Sequence, residues 1–150
     1  RIMPQRILQT VKKAGYQTGL LLLLVSSAAQ AGDILVTVGG IQATGPVYAA
    51  LVSGEQNRWP EQPLRQQRSD DGELRLDSVP PGRYAIQVFQ DSNGNGLLDQ
   101  GRRGIPLEPV GLSSNPPLLN GKPTPADSVF EHGTADTQLH IRLQSPKAKQ

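Results

Sequence analysis

The chain has no cysteine at all. No disulfide can restrain its unfolded state, no thiolate can ligate a metal, and no lipid-modified N-terminal cysteine can anchor it. Aromatic residues make up only 4% of the 150 residues, with one Trp, so there is no basic patch interleaved with aromatics of the kind that grips nucleic acid. The two histidines, His132 and His140, are not spaced as a metal-binding or catalytic pair. The longest apolar run, Gly19 to Ala29, falls short of the roughly 20 residues that a membrane span requires. No window beyond that run repeats its apolar residues with the 3.6-residue period of a helix.

The first 31 residues read as a targeting segment. Arg1, Arg6, Lys12 and Lys13 form a positive region, Leu20 to Val25 is aliphatic, and Ala29-Gln30-Ala31 is a small-x-small cleavage site. The pattern predicts a signal peptide over residues 1–31, with Met3 as an alternative start and a periplasmic or secreted product. Removing it leaves 119 residues carrying 11 Lys and Arg against 13 acids, a net charge of −2. The overall pI of 9.2 therefore comes largely from the leader. A remainder of this size buries about two-thirds of its unfolded surface, enough for one core without crosslinks.

What fills the remainder is strand and turn chemistry. Ile34–Val38, Val47–Val52, Gly72–Leu76, Tyr84–Phe89 and Leu139–Leu143 are β-branched or alternate apolar with polar residues, and Ser128–Phe130 is a shorter candidate. The 16 Gly and 13 Pro punctuate them. Five to seven short strands predict an all-β protein, a single antiparallel β-sandwich over 32–145, followed by a disordered tail at 146–150. Leu64 to Ser69 is expected to form one helical turn, and 101–125 a long proline-rich loop without strand period.

The most informative stretch is Asp91-Ser92-Asn93-Gly94-Asn95-Gly96-Leu97-Leu98-Asp99. Side-chain oxygens fall at positions 1, 3, 5 and 9, with glycine at position 6 for the sharp turn. A hard cation such as calcium takes that donor set: Asp91, Asn93, Asn95, the Leu97 carbonyl and Asp99. Position 12 of an EF-hand loop is a bidentate glutamate, whereas this chain has Arg102, so a further carboxylate must come from elsewhere. Glu108 is the first candidate and Asp127 the second. The same residues also build turns without any metal, because Asx side chains cap their own backbone and glycine supplies positive φ.

Other polar residues carry less. Arg102 and Arg103 either receive an anion or neutralise neighbouring carboxylates. His140 alternates out of phase with Leu139, Ile141 and Leu143, on the polar face. Trp59 is either a stacking platform or a plug over one end of the sandwich. Ser113-Ser114-Asn115 has hydroxyls without a nearby base or a nucleophile elbow. Catalytic and cofactor-binding residues are therefore assigned to none.

Two resemblances follow from these motifs. Leu76 to Val88, with Val79-Pro80-Pro81-Gly82-Arg83-Tyr84 at its centre, resembles the L-P-P-G-x-Y hairpin of prealbumin-like sandwich domains. From Asp33 to Leu143 the chain resembles the bacterial family known as domain of unknown function 2141. The family's block D-x-N-x-N-G-x-x-D-x-N-x-x-G-x-P-x-E-G-x-G-F-S-N-N aligns without a gap from Asp91 through Gly104, Pro106, Glu108, Gly111 and Ser113 to Asn115. Gly101, Pro109, Leu112 and Ser114 depart from it. The resemblance implies fold and export, and no reaction.

These readings converge on an exported binding or structural module, monomeric, stabilised by calcium and engaging a protein or glycan partner. Two alternatives stand beside it. One is a periplasmic hydrolase using Asp99 and Glu108 as acid and base. The other is an accessory subunit of an envelope assembly with an apolar patch near Trp59 or Leu118-Leu119.

Overall fold

A computed structural model describes residues 31–41, 44–102, 105–118 and 122–145. Apart from Ala31, the expected signal peptide lies outside the described residues, as does the expected tail at 146–150.

Among the described residues the elements follow in the order β1 (Gly32–Gly39), β2 (Val47–Ser53), β3 (Arg65–Ser69), β4 (Glu73–Val79), β5 (Gly82–Gln90), β6 (Val110–Leu112), the 3-10 turn Pro125–Ser128, β7 (Phe130–His132) and β8 (Thr137–Arg142). They form two sheets. The smaller has the order β4-β1-β8, and the larger runs β3-β2-β5-β6, with β7 also paired to β5. All pairings are antiparallel except β1 with β8, which is parallel.

Strand alternation produces the sandwich. Along β1, Ile34, Val36 and Val38 are buried while Asp33, Leu35 and Thr37 are half-buried on the other face. Ile34, Val36 and Val38 share one core cluster with Leu74 and Leu76 of β4 and Ile141 of β8. Across from them, Val47, Ala49, Leu51, Ile86 and Val88 line the larger sheet, and all belong to one core. Outside the core, Tyr48 and Phe89 stack at 5.3 Å between ring centroids, a cross-strand pair in register. Asp33 closes the β1–β4 junction by accepting the Ser78 N–H at 2.8 Å and pairing with Arg75. Among the described residues no helix is long and apolar enough to cross a membrane.

Three local expectations are corrected. Residues 65–69 form an edge strand paired to Val47–Leu51, and not a helical turn. Arg65-Gln66-Gln67-Arg68 carries no apolar period, yet ladder hydrogen bonds along β2 outweigh its weak local preference. The 101–125 segment is not one open loop. Val110–Leu112 is a fully buried strand against Gln87–Phe89. Gly111 permits it, since a Cβ there would lie 2.6 Å from the Arg142 carbonyl oxygen. Finally, Ser128 ends the 3-10 turn, and the strand after it starts at Phe130.

Candidate functional site

The turn after β5 is built from its first carboxylate upward. Asp91 is 3% exposed, and its own N–H is fixed to the Pro46 carbonyl at 2.9 Å. Its Oδ1 accepts the N–H groups of Gly94 (3.0 Å) and Asn95 (3.2 Å), and its Oδ2 that of Gly96 (2.8 Å). Three successive amides can point at one carboxylate only if the chain coils tightly. Gly94 and Gly96 allow it with φ of 78° and 75°.

The two asparagines continue the pattern. Asn93 Oδ1 accepts the Asn95 N–H at 3.2 Å, and Asn95 Oδ1 the Leu97 N–H at 2.9 Å. These are Asx turns in sequence. Their amide nitrogens both reach the Asp99 carboxylate, from Asn93 at 2.5 Å and from Asn95 at 3.0 and 3.1 Å. Asp91, Asn93, Asn95 and Asp99 are thus brought together around one turn, with the Leu97 backbone within it and its side chain exposed.

Glu108, 4% exposed, lies at the base of the turn. Its Oε2 accepts the Ser92 N–H at 3.0 Å and its Oε1 the Asp99 N–H at 3.2 Å. Asp127 is elsewhere: with Thr124 it forms the capping box of the 3-10 turn. Arg102 is exposed, and among the described residues no carboxylate lies within 4.0 Å of it; Arg103 lies outside the described residues. Among the described residues no group of three or more His, Cys, Asp or Glu side chains is placed to hold a metal ion. A cation at this turn would therefore depend on amide and main-chain oxygens beside its aspartates.

Several residues have structural roles that pattern alone did not disclose. Ser113 is fully buried; its Oγ accepts the Ile86 N–H at 2.9 Å and donates to the Ser128 carbonyl. Asn115 behaves as a missing strand residue: its Nδ2 donates to the His140 carbonyl and its Oδ1 accepts the Arg142 N–H, both at 3.0 Å. The only sequence signal for this pair was their place at the end of the aligned block. His132 is buried, its Nε2 2.9 Å from the Val79 carbonyl and its Nδ1 2.7 Å from the Thr137 hydroxyl, which makes it a strand tie. His140 is exposed.

Trp59 is half-buried and donates to the Pro123 carbonyl at 2.7 Å, with the Lys122 Nζ 5.5 Å from its ring centroid. That geometry matches a plug better than an open platform. Burial pushes the Lys122 amine down to about 8.

Glu108 and Ser113 are thus engaged by backbone groups, and the Asp99 carboxylate by the side-chain amides of Asn93 and Asn95. A cleft of about 670 Å³ lies elsewhere, over β1 and β8, and includes neither Asp99 nor Glu108.

Comparison with known proteins adds a family. The family described as "Uncharacterized protein conserved in bacteria (DUF2141)" matches residues 36–140. No curated protein matches the chain. Two structures of a pilus-presented adhesin, Spy0125 (Cpa), one carrying a cysteine-to-alanine substitution, align at 14% identity with TM-scores of 0.29 and 0.30. The alignments cover 77% and 78% of this chain and 27% and 28% of the adhesin, so the chain spans little more than a quarter of that protein.

Proposed function

The chain belongs to the DUF2141 family, and we propose that it is a non-catalytic β-sandwich module that acts outside the cytoplasm, with a calcium ion strengthening its 91–99 turn. The observation that carries the non-catalytic reading is the occupancy of Glu108. Both of its oxygens accept main-chain N–H groups, of Ser92 and Asp99, and the residue is 4% exposed, so the carboxylate is turned into the protein and away from any substrate in solvent. Ser113 is tied to Ile86 and Ser128 in the same way.

The calcium reading is supported by the convergence of Asp91, Asn93, Asn95 and Asp99 within hydrogen-bonding distance of one another or of shared amides. These four and the Leu97 carbonyl would hold the ion, with Glu108 bracing the turn beneath them. The ion would supply positive charge where Asp99 is otherwise met only by amide N–H groups. With two direct carboxylates the affinity expected is that of extracellular modules, a Kd of roughly 10⁻⁴ to 10⁻³ M. The braced turn would then present a fixed surface to a protein or glycan partner.

Hydrogen exchange tests this reading. Millimolar calcium should slow exchange at the N–H groups of residues 94–97 in the wild type and not in Asp91→Ala. Exchange that calcium leaves unchanged in the wild type removes the ion from the account. The catalytic alternative would be revived by hydrolysis of a test ester or glycoside that Glu108→Gln abolishes while the fold persists.

A further inference from the structure

The cleft over the small sheet involves residues that the 91–99 turn does not use, and its reading is independent of calcium. Side chains alternate along β8, so Ile141 enters the core while His140 and Arg142 face solvent. The parallel register sets Thr37 of β1 beside His140 and Gly39 beside Arg142. At Gly39 the floor is bare, because a Cβ there would meet nothing within 4 Å. Asn115 and Pro117 rise on the other side, giving the volume of about 670 Å³. That lies within the range of small-ligand sites.

The wall on the Asn115 side is stiff. The Asn115 amide is bonded at both ends to the β8 backbone. Ser114 and Asn115 hold φ of 67° and 47°, two consecutive non-glycine residues in the left-handed region. Backbone held in that region clusters at ligand sites, where the surroundings enforce it.

The charge of the lining has one sign. No Asp or Glu is among the residues that form it. Glu73 lies beside it on β4 and accepts from the Thr37 hydroxyl at 3.3 Å. Arg68, Arg75 and Arg83 are each paired with a carboxylate, whereas Arg142 has none within 4.0 Å among the described residues. An unpaired guanidinium beside an imidazole, over an open floor, suits an anionic oxygen group. The guanidinium fork matches a carboxylate or a phosphate with two parallel hydrogen bonds.

We propose that this cleft binds a small anionic molecule, whose carboxylate or phosphate group is received by Arg142 and His140 with Thr37 beside them. The test is a titration of the ¹⁵N-labelled protein with succinate, with glycerol 3-phosphate, and with glycerol as the neutral control. One or both anions should give saturable shifts at the N–H groups of Thr37, Gly39, His140 and Arg142, and glycerol none. The anion that saturates identifies carboxylate or phosphate. Arg142→Gln, at an exposed position, should weaken binding at least about tenfold with the spectrum otherwise preserved. Gly39→Leu should abolish it by filling the floor. Absence of saturable shifts with both anions, or equal affinity in Arg142→Gln, overturns the proposal.

Discussion

Glu108 accepts the Asp99 N–H at 3.2 Å through one carboxylate oxygen and the Ser92 N–H at 3.0 Å through the other. One buried side chain therefore closes both ends of the turn, from a position nine residues beyond its last member. Glu108→Gln keeps one acceptor and faces the other amide with an NH₂ group. The expected loss is about 2–3 kcal/mol, since hydrogen bonds to a charged partner are the strong ones and an unpaired buried amide is costly. Urea denaturation should register it as a lower midpoint with an unchanged slope. A midpoint equal to the wild type's would mean the carboxylate does not hold the turn.

Ser113 joins β5 to the end of the 3-10 turn through a single hydroxyl. Ser113→Ala leaves the Ile86 N–H and the Ser128 carbonyl without this partner inside the sandwich. A loss of about 2–4 kcal/mol is expected from two buried polar groups. Amide exchange at Ile86 should accelerate more than at Val36 on the opposite sheet.

Lys122 gives the fold a pH dependence of known sign. Its amine is held down to about 8 by burial, against about 10.4 in an unfolded chain. Between those values the unfolded chain binds more protons, so stability rises with pH across that window. Below about 8 the folded state carries the full cost of burying the charge. Lys122→Met should remove the rise, a difference on the order of 2–3 kcal/mol between pH 7.5 and pH 10. Parallel urea midpoints for the two proteins isolate it from other titrating groups.

The sandwich was legible wherever burial imposes a period of two. In β1 the alternation of Ile34, Val36 and Val38 with half-buried neighbours is the sheet written into sequence. Strand β3 was not legible, because an edge strand of Arg and Gln has no buried face to pattern. Strand β6 was too short, and its Gly111 reads as a loop residue until the Arg142 carbonyl is placed against it. The 91–99 segment was legible as a turn, since its glycines take the positive φ that such a turn demands. The roles of Glu108, Ser113 and Asn115 were not, because each acts on backbone groups distant in sequence, and such partners leave no local pattern.

The central claim, that the 91–99 turn holds a calcium ion which adds to folding, is tested most directly by thermal melting in millimolar calcium and in chelator. With calcium at about 10 mM, 10 to 100 times the proposed Kd, linkage gives about 1.4–2.7 kcal/mol of added stability. The wild type should therefore melt several degrees higher with calcium, and Asp91→Ala should show no difference between the two conditions. Equal midpoints for the wild type in calcium and in chelator contradict the account.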